Sequence, residues 1–299
     1  MDSGFRRNDE SKPHRPPKPM HQIDLETYVR EIGHWRAQRL ARLTAPDGWL
    51  SLVGLHWLEQ GRNTLGSAAD NSIVLDKAPA HLGTIQWRGD GTLVFEVADG
   101  SGALIDGEKK IGAILRDDED KKPTQVSFGS ISFVAIDRQG RKGLRVRDTQ
   151  ARTRTRFAGI ESFPADPSWR IVADWMPFDP PRTLETANVI GQMERYPVPG
   201  RAVFERDGNS HELLPVIEVP GDTQLFLIFA DRTSGRETYG AARFLYADQP
   251  EDGKIVLDFN KAYNPPCAFT AFATCPLAPP ENRLDLRVTA GEKKYAGGH

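Results

Sequence analysis

The chain has 299 residues, 38% of them hydrophobic and 27% charged, and carries a formal net charge of -2. No apolar run approaches the ~18 residues of a membrane helix and no basic surplus is present, so the composition predicts a globular protein with neither a membrane nor a nucleic-acid partner. Two cysteines exclude a disulfide scaffold but leave room for a single bridge, and the lack of a charged-then-apolar leader makes the cytoplasm the expected location.

Gly and Pro residues interrupt short apolar runs along most of the chain, which favours β architecture in one large or two medium domains. Residues 1–19, MDSGFRRNDESKPHRPPKP, are charged and proline-rich and cannot bury enough apolar area to offset ordering entropy, so a disordered tail is expected, with the folded protein starting near Met20. From Asp24 onward Leu25, Tyr28, Val29, Ile32, Trp35, Leu40 and Leu43 recur at three- and four-residue spacing. With Asp24 as N-cap and Pro46 as stop, residues 20–47 read as an amphipathic helix packed against the sheet that follows. His34, Arg36, Arg39 and Arg42 fall on its polar side and read as a solvated face.

Residues 48–150 switch to period two in the runs SIVL, TIQW, TLVFEV, ALIDG, QVSF, ISFVAI and GLRVRD, with turn signals at Gly89–Gly91, Asp99-Gly100 and Asp106-Gly107. This alternation predicts a β-sandwich. Over residues 61–136 the segments GRNTLGSAADNSIVLDKAPAHLGTI, IDG and VSFGSISFVAI resemble forkhead-associated domains, which are phosphothreonine-binding sandwiches. Those domains place an arginine after the glycine of their first signature, where this chain has Ser67 after Gly66; their serine ahead of the histidine is Ala78, with His81 retained. Without that guanidinium the bidentate phosphate contact is lost, so the resemblance implies the sandwich and not phosphopeptide binding. Farther on, RTRTR aligns Arg152, Arg154 and Arg156 on one face if the segment is an extended strand. The missing aromatics leave a solvated or ion-paired face ahead of a small-anion site or nucleic acid.

Residues 151–299 form the expected C-terminal β unit. After a loop-rich connection containing DPSWRIVADWMPFDPP, a three-stranded meander is expected from TQLFLIFA, YGAARFLYA and KIVLDFN. Its first turn gathers Asp231, Thr233, Ser234, Arg236, Thr238 and Tyr239, and its last strand puts Asp258 and Asn260 on one face. In the run that follows, Pro265, Pro266, Pro276, Pro279 and Pro280 fix their φ angles, which predicts a stiff, irregular loop suited to a preorganised site. Cys267 and Cys275 are joined or share a metal only if AFTAFAT reverses direction; separate buried thiols, a disulfide, one catalytic thiol and a metal site all stay open, although the histidines offer no paired ligand spacing.

Together GWLSLVGLHWLEQG, FADRTSG, TYGAARFL, DFNKAYNPPCAFTAFATCPLAPPENRL and AGEKKY are similar to an uncharacterised bacterial family, a domain of unknown function marked by AYNPPCAFT and ATCPLPP; the likeness spans Leu25 to Tyr295 and departs at Ala278. The resemblance implies no activity. Two functions remain. In an enzyme acting on a small polar or anionic substrate, Asp258 or Glu281 is the general acid or base, Cys267 or Cys275 a nucleophile if a neighbour lowers its pKa, and Asp231, Thr233, Arg236, Tyr239, Asn260, Tyr263, Asn264 and Asn282 bind substrate. In a non-catalytic β module the same surface recognises a small molecule or a protein. No cofactor is expected in either case, and oligomeric state is left open. A concave pocket lined by these residues would support a ligand site, whereas their mutual burial and pairing would make the loop a hydrogen-bonded plug.

Overall fold

The computed structural model describes residues 24–297; the tail at residues 1–19 and the expected start at Met20 lie outside the described residues. The chain is mainly β, with a long N-terminal helix and several antiparallel sheets. Among the described residues no helix is long and apolar enough to cross a membrane.

Helix α1 (Leu25–Thr44) begins where Asp24 accepts a hydrogen bond from the Thr27 N–H at 2.8 Å and ends two residues before Pro46. Its buried stripe is narrower than the sequence suggests: Tyr28, Ile32 and Leu43 are buried, while Leu25, Val29 and Leu40 are exposed. Tyr28, Arg36 and Arg39 are paired with residues 127 to 253 positions further along, because those residues supply the acceptors that a tyrosine hydroxyl and two half-buried guanidiniums need.

The chain divides into two compact units, Leu43–Phe157 and a second comprising the described residues up to Arg42 together with those from Ala158 onward. In the first unit ten strands follow one another: β1 (Leu52–Trp57), β2 (Gly61–Gly66), β3 (Ile73–Val74), β4 (Gly83–Trp87), β5 (Leu93–Val97), β6 (Leu104–Ile105), β7 (Gly112–Ile114), β8 (Gln125–Phe128), β9 (Ile131–Arg138) and β10 (Arg141–Asp148). They form two five-stranded sheets, ordered β1-β10-β9-β8-β6 and β3-β2-β4-β5-β7. Leu65, Ile85 and Phe95 from one sheet meet Val126, Phe133 and Leu144 from the other in one core. Gln139 and Gly140, with φ of 57° and 84°, supply the left-handed pair that closes the β9–β10 hairpin.

RTRTR is not extended. Arg152–Thr155 is a single helical turn, α2, in which the Thr155 and Arg156 N–H groups bond back to Ala151 and Arg152. The turn points Arg154 at the carbonyls of Thr44 (2.8 Å) and Thr149 (2.7 Å), acceptors that a solvent-facing strand would not offer. Two other cations of the basic stretch, the buried Arg138 and Arg145, share the carboxylate of Asp118 at 2.7 and 3.4 Å.

Among its described residues the second unit has six strands: β11 (Arg170–Ala187), β12 (Met193–Arg206), β13 (Asn209–Leu213), β14 (Gln224–Phe229), β15 (Arg243–Asp248) and β16 (Lys254–Asp258). Two expectations change here. The stretch read as a loop is a 3-10 turn, Pro167–Trp169, running into the long β11; its prolines sit at the interruption of the β11–β12 ladder between Pro177 and Arg182, where no ladder donor is required. The expected meander is split as well. β14 pairs with β15, but β16 hydrogen-bonds to β11 in the antiparallel sheet β13-β12-β11-β16, with Asp258 opposite Arg170. Leu225, Leu227 and Leu245 from the pair join Ala202, Leu213, Ile255 and Leu257 from the sheet in one core, closed by Leu284, Leu286 and Val288 from the C-terminal segment. Since β15 begins at Arg243 and β16 ends at Asp258 after the turn at Glu251–Lys254, these two ends lie on the same side of the unit, where Tyr263 bridges to Phe244.

Candidate functional site

Four groups of polar side chains sit around that end. Asp258 terminates β16 and caps the turn Phe259–Lys261, accepting from the Asn260 N–H at 3.2 Å and from the Tyr28 hydroxyl at 2.7 Å; Lys261 Nζ lies 3.6 Å from its other oxygen. The fully buried Asn260 donates to the Tyr28 hydroxyl and to the Asp166 carbonyl, both at 2.8 Å, and accepts from the Asp166 N–H at 3.0 Å. Burial, then the negative charge of Asp258, raises the Tyr28 pKa well above the ordinary tyrosine value, so its proton stays in this bond. A carboxylate so engaged is a hydrogen-bond anchor.

The second group surrounds Asp231, which accepts from the Thr233 N–H at 2.6 Å and is ion-paired with Arg243, both side chains being wholly buried. Arg243 also donates to the carbonyls of Ala290 (2.7 Å) and Val288 (3.2 Å), and its guanidinium carbon lies 4.9 Å from the Phe229 ring centroid. Burial depresses the Arg243 pKa and Asp231 counteracts it. Thr233 and Thr238 hydroxyls meet at 2.8 Å, whereas Arg236, gathered with Asp231 in the expected turn, is exposed. The signal for Arg243 was its place in the apolar run AARFLYA, where an arginine survives burial only with a counter-charge.

In the third group Glu292 accepts from the Asn264 N–H at 2.7 Å and from Arg39 Nε at 3.2 Å, while Arg39 Nη2 donates to the Asn264 carbonyl at 2.9 Å. The Asn264 amide donates to the Lys293 carbonyl at 2.8 Å, and its buried Oδ1 has no partner. Arg39 also lies over the Tyr263 ring at 4.6 Å. Around Tyr263 stand Trp35 at 6.4 Å and Tyr246 at 6.3 Å between centroids, the latter nearly parallel at 18°, and the Tyr246 hydroxyl donates to Glu218 at 2.6 Å. Burial raises the Tyr263 pKa against the opposing charge of Arg39. Trp35, Arg39, Glu218, Tyr246 and Tyr263 are all partly buried, so this polar-aromatic surface near the proline-rich loop is not sealed from solvent.

The fourth group holds the cysteines. AFTAFAT reverses the chain so that the Cys267 N–H donates to Cys275 Sγ at 3.2 Å and the Cys275 N–H to Cys267 Sγ at 3.3 Å, with no disulfide between them. The Tyr239 hydroxyl donates to the Cys267 carbonyl at 3.3 Å, and burial followed by the neighbouring Cys267 and Cys275 pushes its pKa up to about 12. Among the described residues no three His, Cys, Asp or Glu side chains are grouped for a metal ion.

Two further candidates stand apart. Asn282 is completely buried and works as a backbone substitute, accepting from the Leu214 N–H at 2.8 Å and donating to the carbonyls of Leu214 and Ile228 at 3.1 and 3.0 Å. Glu281 beside it is exposed. The structure therefore brings together Asp258 with Asn260, Asp231 with Thr233, Asn264 with Tyr263, and Tyr239 with the cysteines; none of the bonds described joins the two aspartates. Tyr28, Arg39, Arg243 and Glu292 were missed.

Fold and site define a mainly β protein whose second unit is organised by buried, partnered polar residues of its C-terminal segment. Residues 155–293 match the family described as protein of unknown function (DUF1684). A solution NMR structure of an uncharacterized protein of Haloarcula marismortui is 32% identical over 47% of this chain and 79% of that one, with a TM-score of 0.40. A crystal structure of Rad53 1-466 in complex with AMP-PNP aligns over 73% of this chain and 50% of that one at 9% identity, with a TM-score of 0.16. Neither superposition is close enough to carry an argument. No curated protein matches the chain.

Proposed function

We propose that the second unit is a non-catalytic binding module for a small anionic ligand with a flat ring, received at Arg39, Trp35, Tyr246 and Tyr263. One observation supports this over catalysis by the signature loop: Asp258 and Asp231 are buried and hydrogen-bonded, whereas Arg39 keeps a partly open position over Tyr263 with its Nη1 unused by the bonds to Glu292 and Asn264. An arginine flanked by aromatic faces suits an anion carried on a planar group. Asp258, Asn260, Asp231, Thr233 and Asn282 are, in this reading, the frame that fixes the loop, and Cys267, Cys275, Tyr239, Arg236 and Glu281 take no part in binding.

The test is a thermal-shift panel of aromatic carboxylates and aryl phosphates on the full chain. A member should raise the melting temperature of the wild type and lose that effect in Trp35→Ala and Tyr246→Ala. A panel without any shift, or shifts indifferent to both substitutions, would overturn the reading. Turnover abolished by Asp258→Asn in a variant of unchanged stability would restore the enzyme. For the first unit, the forkhead-associated-like sandwich is part of the proposal without phosphothreonine binding, since Ser67 occupies the arginine position and His81 stands in solvent 4.0 Å from Asp70. We place the protein in the cytoplasm.

A further inference from the structure

We propose that Cys267 and Cys275 are a peroxide-oxidisable dithiol in which Cys267 reacts first and Cys275 resolves it as an intramolecular disulfide. Three observations carry this, none of them shared with the ligand site. The contacts are reciprocal: each sulfur lies against the other residue's backbone N–H, at 3.2 and 3.3 Å, so both thiols occupy the gap between two facing stretches of one loop. A bond between the sulfurs requires the two side chains to rotate toward each other out of these contacts. Access is unequal, with Cys267 partly exposed and Cys275 only 2% exposed, the pattern of a reacting thiol backed by a sheltered one. The loop is also held from outside the pair, by Tyr239 on the Cys267 carbonyl and by the Cys275 carbonyl accepting from Val189 N–H at 3.0 Å, so each cysteine is anchored to a different part of the second unit.

The chemistry is a two-electron oxidation with hydrogen peroxide as the oxidant. The Cys267 thiolate attacks a peroxide oxygen; an S–O bond forms, the O–O bond breaks, and the departing hydroxide takes up the thiol proton as water. The Cys275 thiolate then attacks the sulfur of the Cys267 sulfenic acid; the S–S bond forms, the S–O bond breaks, and the second hydroxide leaves as water with the proton from Cys275. Two thiols and one peroxide give one disulfide and two waters. The N–H groups now donated to sulfur stabilise negative charge on each thiolate during attack. In a reducing compartment the bridge is transient, which makes it a signal and not a staple.

The experiment uses the reduced full-length chain treated with equimolar hydrogen peroxide. Both thiols should disappear from titration, the monomer should lose the mass of two hydrogens, peptide mapping should give a single cross-link between Cys267 and Cys275, and dithiothreitol should reverse all three. In Cys275→Ser, dimedone should trap a sulfenic acid at Cys267; in Cys267→Ser, labelling of Cys275 should be slower by about tenfold or more. Thiols that remain titratable, that end as sulfinic acids or that link separate chains would overturn the proposal, as would equal labelling of the two variants. If neither variant folds, the cross-link map of the wild type decides alone.

Discussion

Because its guanidinium is cut off from solvent, Arg243 depends on Asp231 for its counter-charge and on the Ala290 and Val288 carbonyls for acceptors. Arg243→Met leaves a buried carboxylate unpaired and should cost about 3–5 kcal/mol in urea unfolding, whereas Arg236→Met on the exposed side of the same loop should stay within about 0.5 kcal/mol. Asp258→Asn keeps the shape but weakens the acceptor for Tyr28 and for the Asn260 N–H, so a loss of about 1–3 kcal/mol is expected. Tyr28→Phe should lower stability too, and the double variant should cost less than the sum, because both substitutions remove the same bond. A null effect of Asp258→Asn on the urea midpoint would mean that the bond contributes nothing. Asp231, Asp258, Asn264 and Asn282 were legible in the sequence as polar residues that a strand end or a proline loop has to satisfy. Their partners were not. Tyr28 lies 230 positions from Asp258, Arg39 lies 253 from Glu292, and single-sequence spacing carries no trace of such contacts.

Among the elements, the short alternating strands of the first unit were readable because each run ends at a turn residue, such as Asp106-Gly107, with φ of 52° and 81°. β11 was not, since its prolines gather where the ladder is broken and give the whole segment the look of a loop. β16 was recognised as a strand, but its neighbour was assigned by proximity in sequence, and sheet partnership follows core packing instead. The β11–β12 pair has a tight point at Gly200, where an added Cβ would fall 2.4 Å from the Trp175 ring and 2.7 Å from the Met176 carbonyl. Gly200→Ala should therefore push the two strands apart and cost about 1–3 kcal/mol. Hydrogen exchange should report it, with protection falling in β11 and β12 and holding in the first unit's sheets.

At the level of the whole chain, pH should erode stability from both sides. Tyr28, Tyr239 and Tyr263 hold their protons more tightly folded than unfolded, chiefly through burial, so their contribution is complete below the ordinary tyrosine value of about 10 and is lost as pH rises from there through the folded values. On the acid side, burial works against Asp137 and Asp148, but Lys142 and the Gly140 N–H for the first, and Lys77 and the Gln150 N–H for the second, outweigh it and lower both. Their contribution is present above the ordinary aspartate value of about 4 and disappears as pH falls through the folded values. A melting-temperature profile that is flat above pH 10, or that keeps its alkaline decline undiminished in Tyr28→Phe, would contradict the tyrosine part. The bond between Tyr28 and Asp258 has one more consequence, and it concerns time. A ribosome adding roughly 5–20 residues per second needs on the order of ten to fifty seconds to cover the 230 positions between them. Until that interval ends α1 is a lone twenty-residue peptide, near the lower limit for a helix in water, whereas the sandwich encoded behind it has every strand of its own core once Asp148 has been added. An element synthesised before the sandwich is thus fixed after it, and the second unit is completed by reaching back to α1.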